Sequence, residues 1–190
     1  KLEDWLQTEW PELEVYLTSV TEQYGTISLN GPNSRKLMEK LNSDYDFSKD
    51  NFPHMSFKNI NLCGVECRVM RISFTGELCY EINVPSGYAK QLWDICIDKG
   101  KEFNITPYGT EAMHVLRAEK GFIIVGQETD GSVTPVDLDM DWIVSKKKYD
   151  FIGKRALNRS DTIKKDRKQL VGLKTKDPKK VLEEGAQLVE

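Results

Sequence analysis

The side chains of this 190-residue chain best suited to ligate a metal or attack a substrate are four cysteines and two histidines. Cys63 and Cys67 form a C-x3-C spacing, a poor match to the common zinc pattern. Cys79 and Cys96 follow singly, and His54 and His114 are far apart. No metal site is expected, and no Ser/His/Asp or Cys/His set is visible. The plain reading is four reduced, mostly buried thiols in a cytoplasmic protein. There is no G-x-G-x-x-G and no G-x-x-x-x-G-K-[ST], so no dinucleotide or P-loop site is readable. Glu81 offers another chemistry. The run Cys79 to Val84 alternates, with Tyr80 and Ile82 on one face and Glu81 on the other. A carboxylate there can accept two neighbouring donors at once, or simply be solvated.

The elements that must hold these residues read as an α+β pattern. Glu14 to Val20 and Thr26 to Leu29 are rich in β-branched and aromatic residues and predict strands. Gly31-Pro32-Asn33 then opens a helix from Ser34 to Leu41, with Leu37, Met38 and Leu41 on one face. Leu62 to Cys67 predicts a strand, a short turn and a strand, which Val69, Ile72 and Phe74 continue. Thr75-Gly76-Glu77 is a turn before the strand that carries Glu81. Tyr88 to Phe103 predicts a helix with an apolar stripe of Leu92, Trp93, Ile95 and Cys96, weakened at Gly100. Thr110 caps a second helix, Glu111 to Lys120, which stops at Gly121 and turns Ala112, Met113 and Leu116 inward. Beyond Thr134-Pro135, strands are expected at Trp142 to Val144 and Gln169 to Leu173, with a helix after Phe151. A strand, turn and strand are expected over Val181 to Val189.

Composition bounds the function. The chain is 39% hydrophobic, enough for a real core rather than a disordered chain. No window approaches a membrane span, and the N-terminus has no apolar signal region. The absence of an initiator Met, and an end in mid-strand, predict a fragment. From Lys146 to Lys180 there are 14 Lys and Arg against 4 Asp and Glu, while the remainder has 13 against 26. Such a stretch can hold an anionic partner or be a solvated face. Only Tyr149 and Phe151 interleave with its charges, so nucleic acid is not expected.

Ordered motifs then carry a resemblance. Arg71-Ile-Ser-Phe-Thr-Gly-Glu-Leu-Cys-Tyr-Glu81-Ile is similar to the R-x-[GS]-[YF]-T-G-E-x-G-[YF]-E-[IL] stretch of the glycine-cleavage T-protein family of folate-dependent aminomethyltransferases. Gly31-Pro-Asn-Ser34, Leu116-Arg-Ala-Glu-Lys-Gly121, Gly126-Gln-Glu, Thr134-Pro135 and Asp150-Phe-Ile-Gly-Lys-Arg-Ala-Leu157 resemble further family motifs in order. The wording of Thr106 to Gly131 resembles the alpha-subunit subgroup of heterotetrameric sarcosine oxidase. Two departures stand out: Met113 and His114 occupy the family's Arg-Asp pair, and Cys79 replaces its second Gly.

The resemblance implies an α+β fold of antiparallel sheets with packed helices, the T-protein-like folate-binding fold. It implies a folate-binding region over residues 1–160, and a linker with the start of a C-terminal β-barrel over 161–190. It implies that Glu81 accepts the 2-amino group and ring N–H of the pterin of tetrahydrofolate. Phe74 and Tyr80 would be aromatic walls or core, and Tyr108 a further contact. Arg117 would grip a folate carboxylate, or pair with Glu119 or another acid. The family's aspartate at the reacting amine is implied to lie upstream of Lys1, and flavins and NAD elsewhere. Partners would be folate and the other oxidase subunits. One alternative is a non-catalytic folate-binding regulator or scaffold. Such relatives carry K-G-C-Y-x-G-Q-E, whereas this chain has Lys120-Gly-Phe-Ile-Ile-Val-Gly-Gln-Glu128, without the Cys.

Overall fold

A computed structural model describes residues 1–42, 44–183 and 185–187. The chain divides into two compact units, Lys1–Phe122 and Ile123–Glu190.

The first unit opens with a short helix, α1 (Leu2–Thr8), and contains an antiparallel sheet of four strands. These are β1 (Tyr24–Asn30), β2 (Phe57–Leu62), β3 (Val65–Met70) and β4 (Cys79–Pro85), in the spatial order β1-β4-β3-β2. β2 and β3 form a hairpin in which Leu62 faces Val65 across Cys63 and Gly64. Both turn residues have positive φ, 51° and 89°, which matches the right-handed twist of the strands it joins. One sheet face is apolar: Ile27, Leu29, Ile60, Leu62, Cys67, Val69, Tyr80, Ile82 and Val84 are all buried.

That face is covered by helices α2 (Ser34–Leu41) and α3 (Ala89–Gly100), through Leu37, Met38, Leu41, Leu92 and Cys96. Each such side chain contributes about 1.5–3 kcal/mol when fully buried. Ser34 Oγ donates to the carbonyls of Gly31 and Leu78, tying the start of α2 to the entry of β4. Phe47, Phe52 and Tyr80 form a buried aromatic cluster, with Phe47 and Tyr80 edge to face at 6.0 Å. A fourth helix, α4 (Thr110–Lys120), ends where Gly121 takes φ +80°, as its sequence predicts. Gly76, at φ +80°, lies against Lys120, whose Cγ would stand 2.3 Å from an added Cβ.

Several expected elements are absent. Residues 14–20 are exposed and irregular, because strand-prone residues need a neighbouring strand to pair with and none lies beside them. β3 stops at Met70, so Ile72 and Phe74 lie outside it. Trp93 and Ala112 are exposed rather than packed in the core.

In the second unit Asp141–Ile143 is a 3-10 turn rather than a strand, and 169–173 is irregular. Its one α-helix among the described residues is α5 (Lys154–Leu157). Among the described residues of this unit no strand forms, so the start of a barrel is not seen; the strand expected over 181–189 lies partly outside them. A largely buried ion pair links distant segments of the unit. Arg167 donates from Nε to Asp137 Oδ1 (2.8 Å) and from Nη2 to Asp137 Oδ2 (2.5 Å), while Thr134 donates to Oδ2 from its N–H and hydroxyl. These donors, Arg167 above all, hold the Asp137 carboxyl well below the usual carboxylate range.

Candidate functional site

The sheet face away from the core is polar because β1 and β4 both alternate. Their antiparallel register sets Ser28 opposite Glu81, Asn30 opposite Cys79 and Thr26 opposite Asn83, while Met70 of β3 faces Glu81 from the other side. Glu81 is thus half-buried at the middle of three strands. At the end of β1, Asn30 gathers the neighbours. Thr75 donates its hydroxyl to Asn30 Oδ1 (3.0 Å), and Asn30 Nδ2 donates to Ser28 Oγ (2.8 Å) and Tyr108 Oη (2.5 Å). Ser28 Oγ lies 3.5 Å from Cys79 Sγ. Burial pushes the Cys79 thiol up, so it stays protonated at neutral pH.

β1 is an edge strand, and its unpaired edge opens on a cavity of about 570 Å³. The size falls within the range of about 300–1,000 Å³ usual for small-molecule sites. β1 and the start of α2 form one wall, Trp93, Cys96 and Ile97 of α3 a second, and residues 103–110 with Met113 the third. No charged side chain lines it among the described residues. Met113 presents a thioether where the resemblance expects an arginine.

The structure brings Glu81 and Tyr108 to one side of the sheet. Tyr80 is on the other face, fully buried, its hydroxyl accepting from Arg35 Nε at 3.3 Å. Phe74 is half-buried in the bend between β3 and β4, and neither it nor Arg117 lines the cavity. Arg117 is 4% exposed and donates to the carbonyl of Phe122 (3.1 Å), which closes the turn after α4. Arg71 stands over the Tyr80 ring at 5.4 Å; its Nε and Ser73 Oγ are buried without a hydrogen-bond partner among the described residues. Sequence reasoning missed Ser28, Asn30 and Thr75. The signal was the polar alternation Thr26, Ser28, Asn30 opposite Ile27 and Leu29. Among the described residues no group of three or more His, Cys, Asp or Glu side chains could hold a metal ion. No described helix is long and apolar enough to cross a membrane.

An antiparallel sheet with helices on its apolar face, a half-buried carboxylate on its polar face and a cavity at its free edge describe an α+β domain. The family described as GCVT N-terminal domain matches residues 1–148, and the chain belongs to it. It is 56% identical over 189 residues to "Sarcosine oxidase subunit alpha" of Corynebacterium sp. (strain U-96), covering 99% of this chain and 20% of that protein. The protein of the same name from Rhizobium meliloti (strain 1021) is 38% identical over 190 residues, 99% of this chain and 19% of that one. "Aminomethyltransferase" of Thermoanaerobacter sp. (strain X514) is 33% identical over 154 residues, 80% of this chain and 41% of that protein. The chain therefore spans about a fifth of the length of the sarcosine oxidase relatives.

Proposed function

We propose that this chain is the folate-binding module of a sarcosine oxidase alpha subunit. In this reading it hands the one-carbon unit of oxidised sarcosine to tetrahydrofolate, giving 5,10-methylenetetrahydrofolate. The observation that carries the reading is Glu81, half-buried on the polar sheet face beside Ser28, with Tyr108 and the edge cavity adjoining. The pair of carboxylate acceptors fits a pterin. Its 2-amino group and neighbouring ring N–H are two donors side by side, and one carboxylate accepts both. The cavity walls are neutral and largely apolar, suited to a flat ring. Buried Arg71 Nε and Ser73 Oγ add unspent donors on the segment that leads from β3 to β4.

Within the site, Glu81 orients the ring and Tyr108 borders it. Bound tetrahydrofolate supplies the amine nitrogens that take up the one-carbon unit. The acidic residue at the reacting amine, the flavins and NAD are assigned to polypeptide outside these 190 residues. In the same proposal residues 1–160 belong to the folate-binding region and 161–190 lead toward a C-terminal β domain. The complex is a cytoplasmic hetero-oligomer with the other oxidase subunits, in keeping with four free thiols.

The test is calorimetry with tetrahydrofolate on the full-length protein. Glu81→Gln keeps one acceptor but turns an NH2 toward the second donor. The expected loss is about 1.5–3 kcal/mol, roughly ten- to hundredfold in affinity. An unchanged affinity in a folded Glu81→Gln protein sinks the assignment.

A further inference from the structure

We infer that Tyr108 is a specificity-determining residue, a hydrogen-bond donor that reads the oxygen at position 4 of the pterin. The inference rests on the folate reading of Glu81 and goes beyond it.

Asn30 Oδ1 takes the Thr75 proton, so the NH2 of Asn30 faces Ser28 and Tyr108. An amide nitrogen can only donate. Tyr108 Oη is therefore the acceptor in its contact with Asn30, and its own proton is left for Ser28 Oγ, the hydroxyl hydrogen-bonded beside it, or for a ligand in the cavity. Burial, aided by the nearby Cys79 and Glu81, pushes the phenol up against its hydrogen bonds with Ser28 and Asn30, and the net direction is upward. The phenol thus stays protonated at neutral pH. Tyr108 lines the cavity, and so do Ser28 and Asn30, the two residues of β1 that face Glu81 and Cys79.

Glu81 does not itself line the cavity but stands opposite Ser28, which does, so on the two sides of Ser28 the polar face offers two acceptors from one carboxylate and one donor from a phenol. The edge of a pterin runs 2-amino, ring N–H, 4-oxo: donor, donor, acceptor. The two sequences are complementary. A pteridine carrying an amino group at position 4 would meet the Tyr108 proton with a donor, and its ring nitrogen 3, no longer carrying a proton, would also withdraw one donor from Glu81, so the effect of Tyr108→Phe on each compound is what isolates the Tyr108 contact. A site built to hydrogen-bond one group rejects the analogue that lacks it far more strongly than an apolar pocket does.

The experiment measures the affinity of the full-length protein for tetrahydrofolate and for its 4-amino counterpart, tetrahydroaminopterin. Tyr108→Phe is expected to weaken tetrahydrofolate about tenfold while leaving the 4-amino compound unchanged. Asn30→Asp provides a second arm. Its carboxylate would capture the Tyr108 proton and turn the phenol lone pairs outward. Tetrahydrofolate should weaken similarly, and adding Tyr108→Phe to Asn30→Asp should then cost nothing more. Equal losses for both compounds in Tyr108→Phe would make Tyr108 a packing residue and overturn the inference, as would no loss for either. If Glu81→Gln weakens binding while Tyr108→Phe does not discriminate, this inference alone falls. If the wild-type protein binds neither compound, the folate reading falls and this one with it.

Discussion

Arg117 illustrates how burial reassigns a side chain. In the sequence it can hook an anion; in the fold its guanidinium is enclosed and donates to the Phe122 carbonyl, just past the Gly121 turn that ends α4. Arg117→Met should lower the stability of the first unit by about 1–3 kcal/mol through the carbonyl left unpaired. Denaturant unfolding checks this, and stability unchanged by the substitution would contradict a role in closing that turn. Asp137 gives a pH prediction. Its folded-state carboxyl titrates below its unfolded value, so its contribution is complete above the ordinary Asp range, about pH 4, and is lost as pH falls through the folded value. Melting of the second unit should therefore fall on acidification below that range, and Asp137→Asn should flatten the dependence. At this scale the sequence showed Glu81 only through its motif. The Asn30 network was hidden because Ser28, Thr75 and Tyr108 come from three segments far apart in the chain.

Elements were readable where local chemistry and tertiary partners agree. α2 begins and ends where its cap signals and its stripe of Leu37, Met38 and Leu41 place it, since that stripe meets the sheet. The β2–β3 turn was equally plain, because Gly64 suits a left-handed conformation. Residues 14–20 and 169–173 have the same strand-prone composition as β4 but no strand beside them, and propensity alone does not make a ladder. α3 carries a constraint that its sequence disguised. Gly100 reads as a weak helix end, yet it is buried, and an added Cβ would stand 2.7 to 2.9 Å from three atoms of Ile105. Ile105 also lines the cavity. Gly100→Ala should destabilise by about 1–3 kcal/mol through overpacking. Thermal unfolding reads this, and a neutral result would mean that the Ile105 segment yields freely.

For the whole molecule, the basic stretch 146–180 is the least explained feature. Lys146 pairs with Asp141, Arg159 with Asp161 and Arg167 with Asp137, and the first two pairs are exposed and contribute little. If the stretch draws in the glutamate tail of cellular folates, pentaglutamyl tetrahydrofolate should bind the full-length protein more tightly than the monoglutamyl form. That gap should close as salt shortens the Debye length below roughly 8 Å. Equal affinities at low salt would assign the charge to another subunit or to solvent.

The strand order has a separate consequence. β4, which carries Glu81, is paired on both sides, whereas β1 has one edge free beside the cavity. In deuterated water the amides of β4 should exchange by wider opening of the sheet, and those of β1 by local fraying. A small molecule seated along the β1 edge would slow deuterium uptake there and leave β4 nearly unchanged. One sheet thus supplies both the reporter and its internal reference, and occupancy could be followed without knowing the chemistry of the occupant.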